Sequence, residues 1–62
     1  MTGKDLVKLL QKEGWFIDRT HGSHYIVKKD GYKPASIPVH GGKDLPIGIL
    51  NKLLKDTGLK GR

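Results

Sequence analysis

The stretch that decides the fold is WFIDRTHGSHYIV, residues 15–27. Both of its halves are rich in aromatic and β-branched residues, which favour strands, and a Gly22-Ser23 pair separates them. The stretch therefore predicts two antiparallel strands, over residues 15–20 and 25–27. Because side chains alternate along a strand, one face is predicted to hold Trp15, Ile17, Arg19, Tyr25 and Val27. The aromatic and aliphatic members of this set are assigned to the core.

The opposite face of this hairpin is predicted to be open to solvent. It carries two large apolar residues, Phe16 and Ile26, among polar neighbours. Isolated apolar residues are ordinary on protein surfaces, whereas two on one open face can form a docking patch for a partner. Both interpretations stay open at this point.

A helix is predicted before the hairpin, over residues 3–13. Thr2 and Asp5 have capping-box spacing, in which each side chain accepts a hydrogen bond from the other residue's backbone. Leucines at positions 6, 9 and 10 then share one helical face. Gly14 is expected to end the helix, because glycine readily takes the left-handed conformation needed there.

A third strand is predicted after the hairpin, over residues 33–39. The preceding Asp30-Gly31 pair favours a two-residue type I′ turn, in which both residues have positive φ. Pro34 and Pro38 lack a backbone N–H, and an edge strand tolerates that loss. The third strand is therefore placed at the edge of the sheet.

A second helix is predicted to begin at about Pro46 and to end at Gly58. Apolar residues at positions 47, 50, 53 and 54 form its buried stripe. Leu59 is expected to fold back onto the helix, and residues 60–62 are expected to form a loose basic tail.

These elements predict a single α+β domain over residues 1–62, in the order α-β-β-β-α. Both helices are expected to pack on one face of a three-stranded antiparallel sheet. The chain has no Cys, which excludes disulfides and thiol catalysis, and no apolar segment approaches the roughly 20 residues of a membrane span. We expect a soluble cytoplasmic protein that makes no membrane contact.

The balance of charge points to a polyanionic partner. Twelve Lys and Arg outweigh six Asp and Glu, which gives a net charge of +6. Such an excess makes nucleic acid the first partner to consider.

Gly41-Gly42-Lys43 lacks the spacing of a nucleotide-hydrolysing loop. Its backbone N–H groups and the Lys43 ammonium, just ahead of a helix, are nevertheless suited to one phosphate.

Metal and hydrolase sites are poorly supported by the histidines at positions 21, 24 and 40. His21 and His24 can meet one ion only if Gly22 bends the chain, and no neighbouring carboxylate completes the ligand set. Ser23 precedes His24 but lacks the glycine context of a hydrolase nucleophile. We predict no metal site and no cofactor.

His24 is the strongest single candidate for chemistry. It follows a tight turn, with Arg19 across the hairpin and Lys28 on its own face, and nearby cations favour a neutral imidazole. A neutral imidazole can take the proton of an RNA 2′-hydroxyl, whose oxygen then attacks the adjacent phosphorus. A turn histidine that only makes local hydrogen bonds is the alternative.

Several segments together resemble the HicA-type mRNA interferase toxins of bacterial and archaeal toxin-antitoxin pairs. The matching segments are Glu13-Gly14-Trp15, Arg19 with Gly22-Ser23-His24, Ile37-Pro38-Val39-His40, Lys43-Asp44-Leu45-Pro46-Ile47-Gly48 and Thr57-Gly58-Leu59. They extend over essentially the whole chain. The family often has a second histidine after Gly-Ser-His, and this chain has Tyr25 there.

The resemblance implies a fold similar to that of double-stranded RNA-binding domains and metal-independent cleavage of mRNA with His24 as the catalytic residue. It also implies a HicB-type antitoxin that covers the active site. The toxin alone is expected to be a monomer and to form a hetero-oligomer with that antitoxin.

The remaining site residues are expected to bind RNA: Arg19, His21, Gly22, Ser23, Lys28 and Lys43. The resemblance does not identify the general acid, for which the candidates are His21, Lys28 and His40. A non-catalytic RNA-binding module with the same architecture is the alternative function.

Overall fold

The computed structural model describes residues 1–59 and contains two helices and three strands. In chain order these are α1 (Gly3–Lys12), β1 (Phe16–His21), β2 (His24–Lys28), β3 (Ala35–Pro38) and α2 (Ile47–Asp56). The strands form one antiparallel sheet in the order β1-β2-β3, so β3 is an edge strand, as Pro34 and Pro38 predict. The α-β-β-β-α fold class is confirmed, and the expected tail at residues 60–62 lies outside the described residues.

Helix α1 begins and ends with the signals that the sequence predicts. The Asp5 N–H donates to Thr2 Oγ1 at 3.1 Å, and the Thr2 N–H donates to Asp5 Oδ2 at 3.2 Å. The hydrogen bond from the Thr2 backbone N–H contributes most, and the Thr2 hydroxyl next, to lowering the pKa of the Asp5 carboxyl. At the other end Gly14 has a φ of +96°, and the Trp15 N–H donates to the Leu10 carbonyl at 3.0 Å. The helix ends at Lys12, one residue before the predicted end.

The core lies between the helices and one face of the sheet, which we call the inner face. Four side chains in it are completely buried: Leu6, Leu10, Val27 and Ile37. Trp15, Leu45 and Leu53 join the same cluster. Both helices therefore bury their apolar residues against the inner face.

A β-bulge in β1 changes which residues share a face. Ile17 pairs with Val27, but the next pair is Arg19 with Ile26, so Asp18 is an extra residue in β1. Because paired residues lie on the same side of a sheet, Arg19 lies on the face opposite to the inner one, and the prediction that it shares a face with Ile17 is wrong. Ile17 itself is 37% exposed, so its assignment to the core is also wrong.

The connection between β2 and β3 differs from the predicted type I′ turn. The Tyr32 N–H donates to the Lys29 carbonyl at 3.1 Å, and Gly31 has a φ of +85°. Asp30 does not have positive φ, and positive φ at the second central residue alone is the type II pattern. The strands are consequently not joined by a two-residue loop, and β3 begins at Ala35, two residues after the predicted start.

Helix α2 begins at Ile47 after Pro46 and is followed by Gly58, which has a φ of +76°. Leu53 is buried and Leu59 packs against the core, as predicted. Ile47 is 71% exposed, so its place in the buried stripe is a wrong prediction. Leu45, just before the helix, is buried instead.

The start of α1 lies directly on the end of β3. A methyl group placed at Gly3 would collide with the Pro38 carbonyl oxygen, so this position requires glycine.

Neither described helix is long and apolar enough to cross a lipid bilayer.

Candidate active site

The candidate site lies on the outer face of the sheet, the face turned away from the core. The strand register places the following residues on this face: Phe16, Arg19, His21, His24, Ile26, Lys28, Ser36 and Pro38. Phe16 is 53% exposed and Ile26 is half-buried, which confirms that both lie outside the core. The other members of the set supply two imidazoles, two cations and a hydroxyl.

The turn between β1 and β2 brings two histidines together. His21 and His24 are the last paired residues of the hairpin, and only Gly22 and Ser23 lie between them. Gly22 has a φ of +61° whereas Ser23 does not have positive φ, which matches a type II′ turn. The chain therefore bends at Gly22, and His21 and His24 lie side by side on the outer face.

The His24 ring is held by a residue that sequence reasoning missed. His24 Nδ1 lies 3.2 Å from Ser36 Oγ, on the neighbouring strand β3. Both side chains are exposed. The ring is thus oriented through Nδ1, and Nε2 has no hydrogen-bond partner among residues 1–59. Alternation in β3 places Ser36 opposite to Ile37 and Ala35, but only the register of β3 against β2 reveals its contact with His24.

A third histidine approaches from the end of β3. The Val39 N–H donates to the Ser23 carbonyl at 2.7 Å, which fixes the end of β3 against the hairpin turn. His40 follows Val39, and its ring centroid lies 6.3 Å from that of His24, with the rings nearly perpendicular at 83°. Of the three candidate acids, His40 is therefore placed in ring contact with His24.

Of the two predicted cations on the outer face, Lys28 lies at the end far from His24, and Arg19 lies between them, opposite Ile26. Lys28 is four residues along β2 from His24, which is roughly 13 Å at the rise of an antiparallel strand. Asp18 Oδ2 lies 3.4 Å from Lys28 Nζ and 3.7 Å from Arg19 Nε. Lys28 is therefore too distant to act as the acid beside His24, and the charge of both cations is partly balanced by the bulge carboxylate.

Two clefts open beside the histidines, and both are bordered by α2. The β3–α2 cleft has a volume of about 380 Å³ and is lined by His24, Ser36, Pro38, Ile49, Lys52 and Asp56, among others. The 40–46 cleft has a volume of about 220 Å³ and is lined by Pro38, His40, Lys43, Asp44, Pro46 and Ile49, among others. Lys43 therefore lies beside His40, in a cleft that shares Pro38 and Ile49 with the cleft of His24.

The histidines of the candidate site lack the further ligands that a metal ion needs, within residues 1–59. His21 and His24 share a face, yet no group of three His, Asp or Glu side chains within residues 1–59 is placed to hold one. The chemistry on offer is that of exposed imidazoles, one oriented by a hydroxyl, beside lysines.

Comparison with protein families matches residues 3–59 to the family described as HicA toxin of bacterial toxin-antitoxin. Comparison with curated proteins gives no match. The family match extends over both helices and all three strands described above.

Proposed function

The chain belongs to the HicA toxin family, and on this premise we propose that it is an endoribonuclease that cleaves mRNA in the cytoplasm, with His24 as the general base. A toxin of this family is one half of a toxin-antitoxin pair, and we propose that its antitoxin is of the HicB type. The observation that carries the enzymatic proposal is the exposed His24 ring, bonded to Ser36 through Nδ1 and in contact with His40.

The role of Ser36 is to select and orient the reactive form of His24. When Nδ1–H donates to Ser36 Oγ, the lone pair of the neutral imidazole is on Nε2, which has no partner in the described part of the chain. Nε2 then accepts the proton of a ribose 2′-hydroxyl. The 2′-oxygen attacks the adjacent phosphorus, and the bond from phosphorus to the 5′-oxygen of the next nucleotide breaks.

His40 supplies the proton that the leaving 5′-oxygen requires. The two ring centroids are only 6.3 Å apart, and we assign the rings to the two reacting oxygens of one phosphate, each held by one hydrogen bond. The products are a 2′,3′-cyclic phosphate and a 5′-hydroxyl. One ring must be neutral and the other protonated, and the proposal therefore expects a bell-shaped pH–rate profile.

His21 is the competing acid because it pairs with His24 across the hairpin. Cleavage assays of two variants distinguish His21 from His40 as the general acid. If His40 is the acid, His40→Ala should suppress cleavage of ordinary RNA much more than His21→Ala, and a substrate whose 5′-oxygen is replaced by sulfur should restore cleavage, because a thiolate leaves without protonation.

A non-catalytic RNA-binding module is less well supported. Double-stranded RNA binders contact phosphates across two minor grooves over about 16 base pairs. Residues 44–48, which lead into α2, contain no Lys or Arg, and Lys43 is the cation beside them. Such a module would bind RNA with a steep dependence on salt and leave it intact.

The decisive experiment measures cleavage of single-stranded mRNA in EDTA. His24→Ala should reduce the rate by about 10²- to 10⁴-fold, the usual contribution of a general base. RNA affinity and thermal unfolding should stay near wild type, because His24 is exposed. Lys8→Ala, at an exposed position of α1, is the matched control. An unchanged rate in His24→Ala would falsify the role given to His24.

A further inference from the structure

We infer that the two clefts bind the two nucleotides that flank the cut, with the 5′ nucleotide in the β3–α2 cleft and the 3′ nucleotide in the 40–46 cleft. This inference rests on the proposed function, because it uses the assignment of base and acid. It adds a direction for the RNA chain and two sites for its bases.

The clefts are separate depressions with a common wall. Pro38 and Ile49 line both of them, and Ile49 is 43% exposed on α2. Each cleft has one imidazole of its own, His24 in the β3–α2 cleft and His40 in the 40–46 cleft. A phosphate held between the two rings would therefore sit over the common wall, with one neighbouring nucleotide on each side.

The chemistry of cleavage fixes which nucleotide lies on which side. The attacking 2′-hydroxyl belongs to the nucleotide 5′ to the phosphate, so that ribose must lie beside the base, His24. The leaving 5′-oxygen belongs to the nucleotide 3′ to the phosphate, so that ribose must lie beside the acid, His40. The direction of the RNA across Ile49 follows from these two contacts.

Each cleft also has the groups needed to hold a nucleotide. Lys52 and Asp56 line the β3–α2 cleft, and Lys43 and Asp44 line the 40–46 cleft. A lysine binds phosphate oxygens, whereas a carboxylate accepts hydrogen bonds from the amino groups of bases. The apolar wall of Pro38 and Ile49 gives the ribose or base a surface to pack on. The aspartates are therefore the groups that would select bases.

Photocross-linking tests the direction without requiring cleavage. The probe is a dinucleotide whose 5′ ribose carries 2′-fluorine, which removes the nucleophile, and whose 5′ or 3′ base is 4-thiouracil. The 5′ label should cross-link to residues that line only the β3–α2 cleft, such as His24, Ser36, Lys52 and Asp56, and the 3′ label to residues that line only the 40–46 cleft, such as His40, Lys43 and Pro46. Reversed labelling, equal labelling of both clefts, or labelling outside them would overturn the inference.

Base preference tests the role of the aspartates. Asp56→Asn should relax discrimination at the base 5′ to the cut by about 10-fold and leave the 3′ position unaffected, and Asp44→Asn should do the reverse. Asp30→Asn, in the exposed turn before β3, makes the same chemical change outside both clefts and should alter neither.

The proposed function and the assignment of the clefts fail on different results. If His24→Ala cleaves like wild type, the proposed function fails. If cleavage depends on His24 but both aspartate variants affect the same side of the cut, only the assignment of the clefts fails. Loss of discrimination at both positions in either variant would show one shared site and would also contradict the inference.

Discussion

The two faces of the sheet use the same strands for different purposes. On the inner face Val27 and Ile37 are completely buried, whereas on the outer face His24 and Ser36 are exposed and bonded to each other. Ile37 and Ser36 are neighbours in the chain and lie on opposite sides of β3. A residue that stabilises the fold is therefore adjacent in β3 to one that is proposed to act in cleavage. Substitutions on the inner face should lower the free energy of unfolding, and substitutions on the outer face should lower the cleavage rate.

The largest effect on stability is expected on the inner face, at Ile37. Ile37→Ala should reduce the free energy of unfolding by about 2–5 kcal/mol, because it leaves a cavity in the core. A domain of this size has only about 3–5 kcal/mol from its core, so the variant should be largely unfolded at 37 °C. Urea titration followed by Trp15 fluorescence measures this. A loss below 1 kcal/mol would contradict the division between the faces.

Its neighbour Ser36 should give the opposite result. Ser36→Ala should lower kcat/KM for RNA cleavage by about 10-fold, since it removes the hydrogen bond that orients His24. The urea midpoint should not change. Ser36→Thr keeps the hydroxyl and should restore most of the activity, and Ser36→Ala should also alter the shape of the pH–rate profile. If Ser36→Thr and Ser36→Ala have the same kcat/KM, Ser36 does not act through its hydroxyl.

The apolar part of the outer face should matter for the antitoxin. Phe16→Glu should weaken neutralisation by about 5-fold, which corresponds to about 1 kcal/mol, because it places an unpaired carboxylate in an apolar contact. Cleavage by the free toxin should be unaffected. Gln11→Glu on α1 adds the same charge at another exposed position and should bind the antitoxin normally. Equal affinity for both variants would remove Phe16 from the interface.

The smallest effect is expected where neither face is involved, at the start of α1. Hydrogen bonds from Thr2 lower the pKa of Asp5 below its usual value of about 3.8, so the ionised carboxylate stabilises the folded state. This contribution is present above pH 3.8 and is lost as the pH falls through the lower pKa of the folded state. Asp5→Asn should therefore be slightly less stable than wild type at pH 7, and the difference should diminish by pH 2–3. A difference that grows on acidification would contradict this sign.

The inner face and the helix ends could be predicted because local signals determine them. The Thr2–Asp5 capping box and the positive φ of Gly14 and Gly58 were expected from sequence and are found. Pro34 and Pro38 likewise indicated that β3 lies at the edge of the sheet. These features depend on a few consecutive residues, and no distant pairing alters them.

The outer face could be predicted only in part because it depends on pairing between strands. The bulge at Asp18 moves Arg19 to the other face, and no alternation pattern within β1 reveals it. Ser36 reaches His24 through the register of β3, which a six-residue connection of unexpected turn type determines. The choice of His24 as catalytic residue stays a prediction, although the sequence did indicate the tight turn that exposes it.

The contact between Gly3 and Pro38 also makes the candidate site depend on a residue near the N-terminus. Pro38 is two residues before His40, so a side chain at position 3 would push on the segment that carries the His40 ring. Gly3→Ala should therefore displace this segment and inactivate the protein at temperatures at which the wild-type chain is folded. Plasmids that carry Gly3→Ala should be maintained at 37 °C in cells that lack the antidote, whereas the parent gene is expected to arrest their growth.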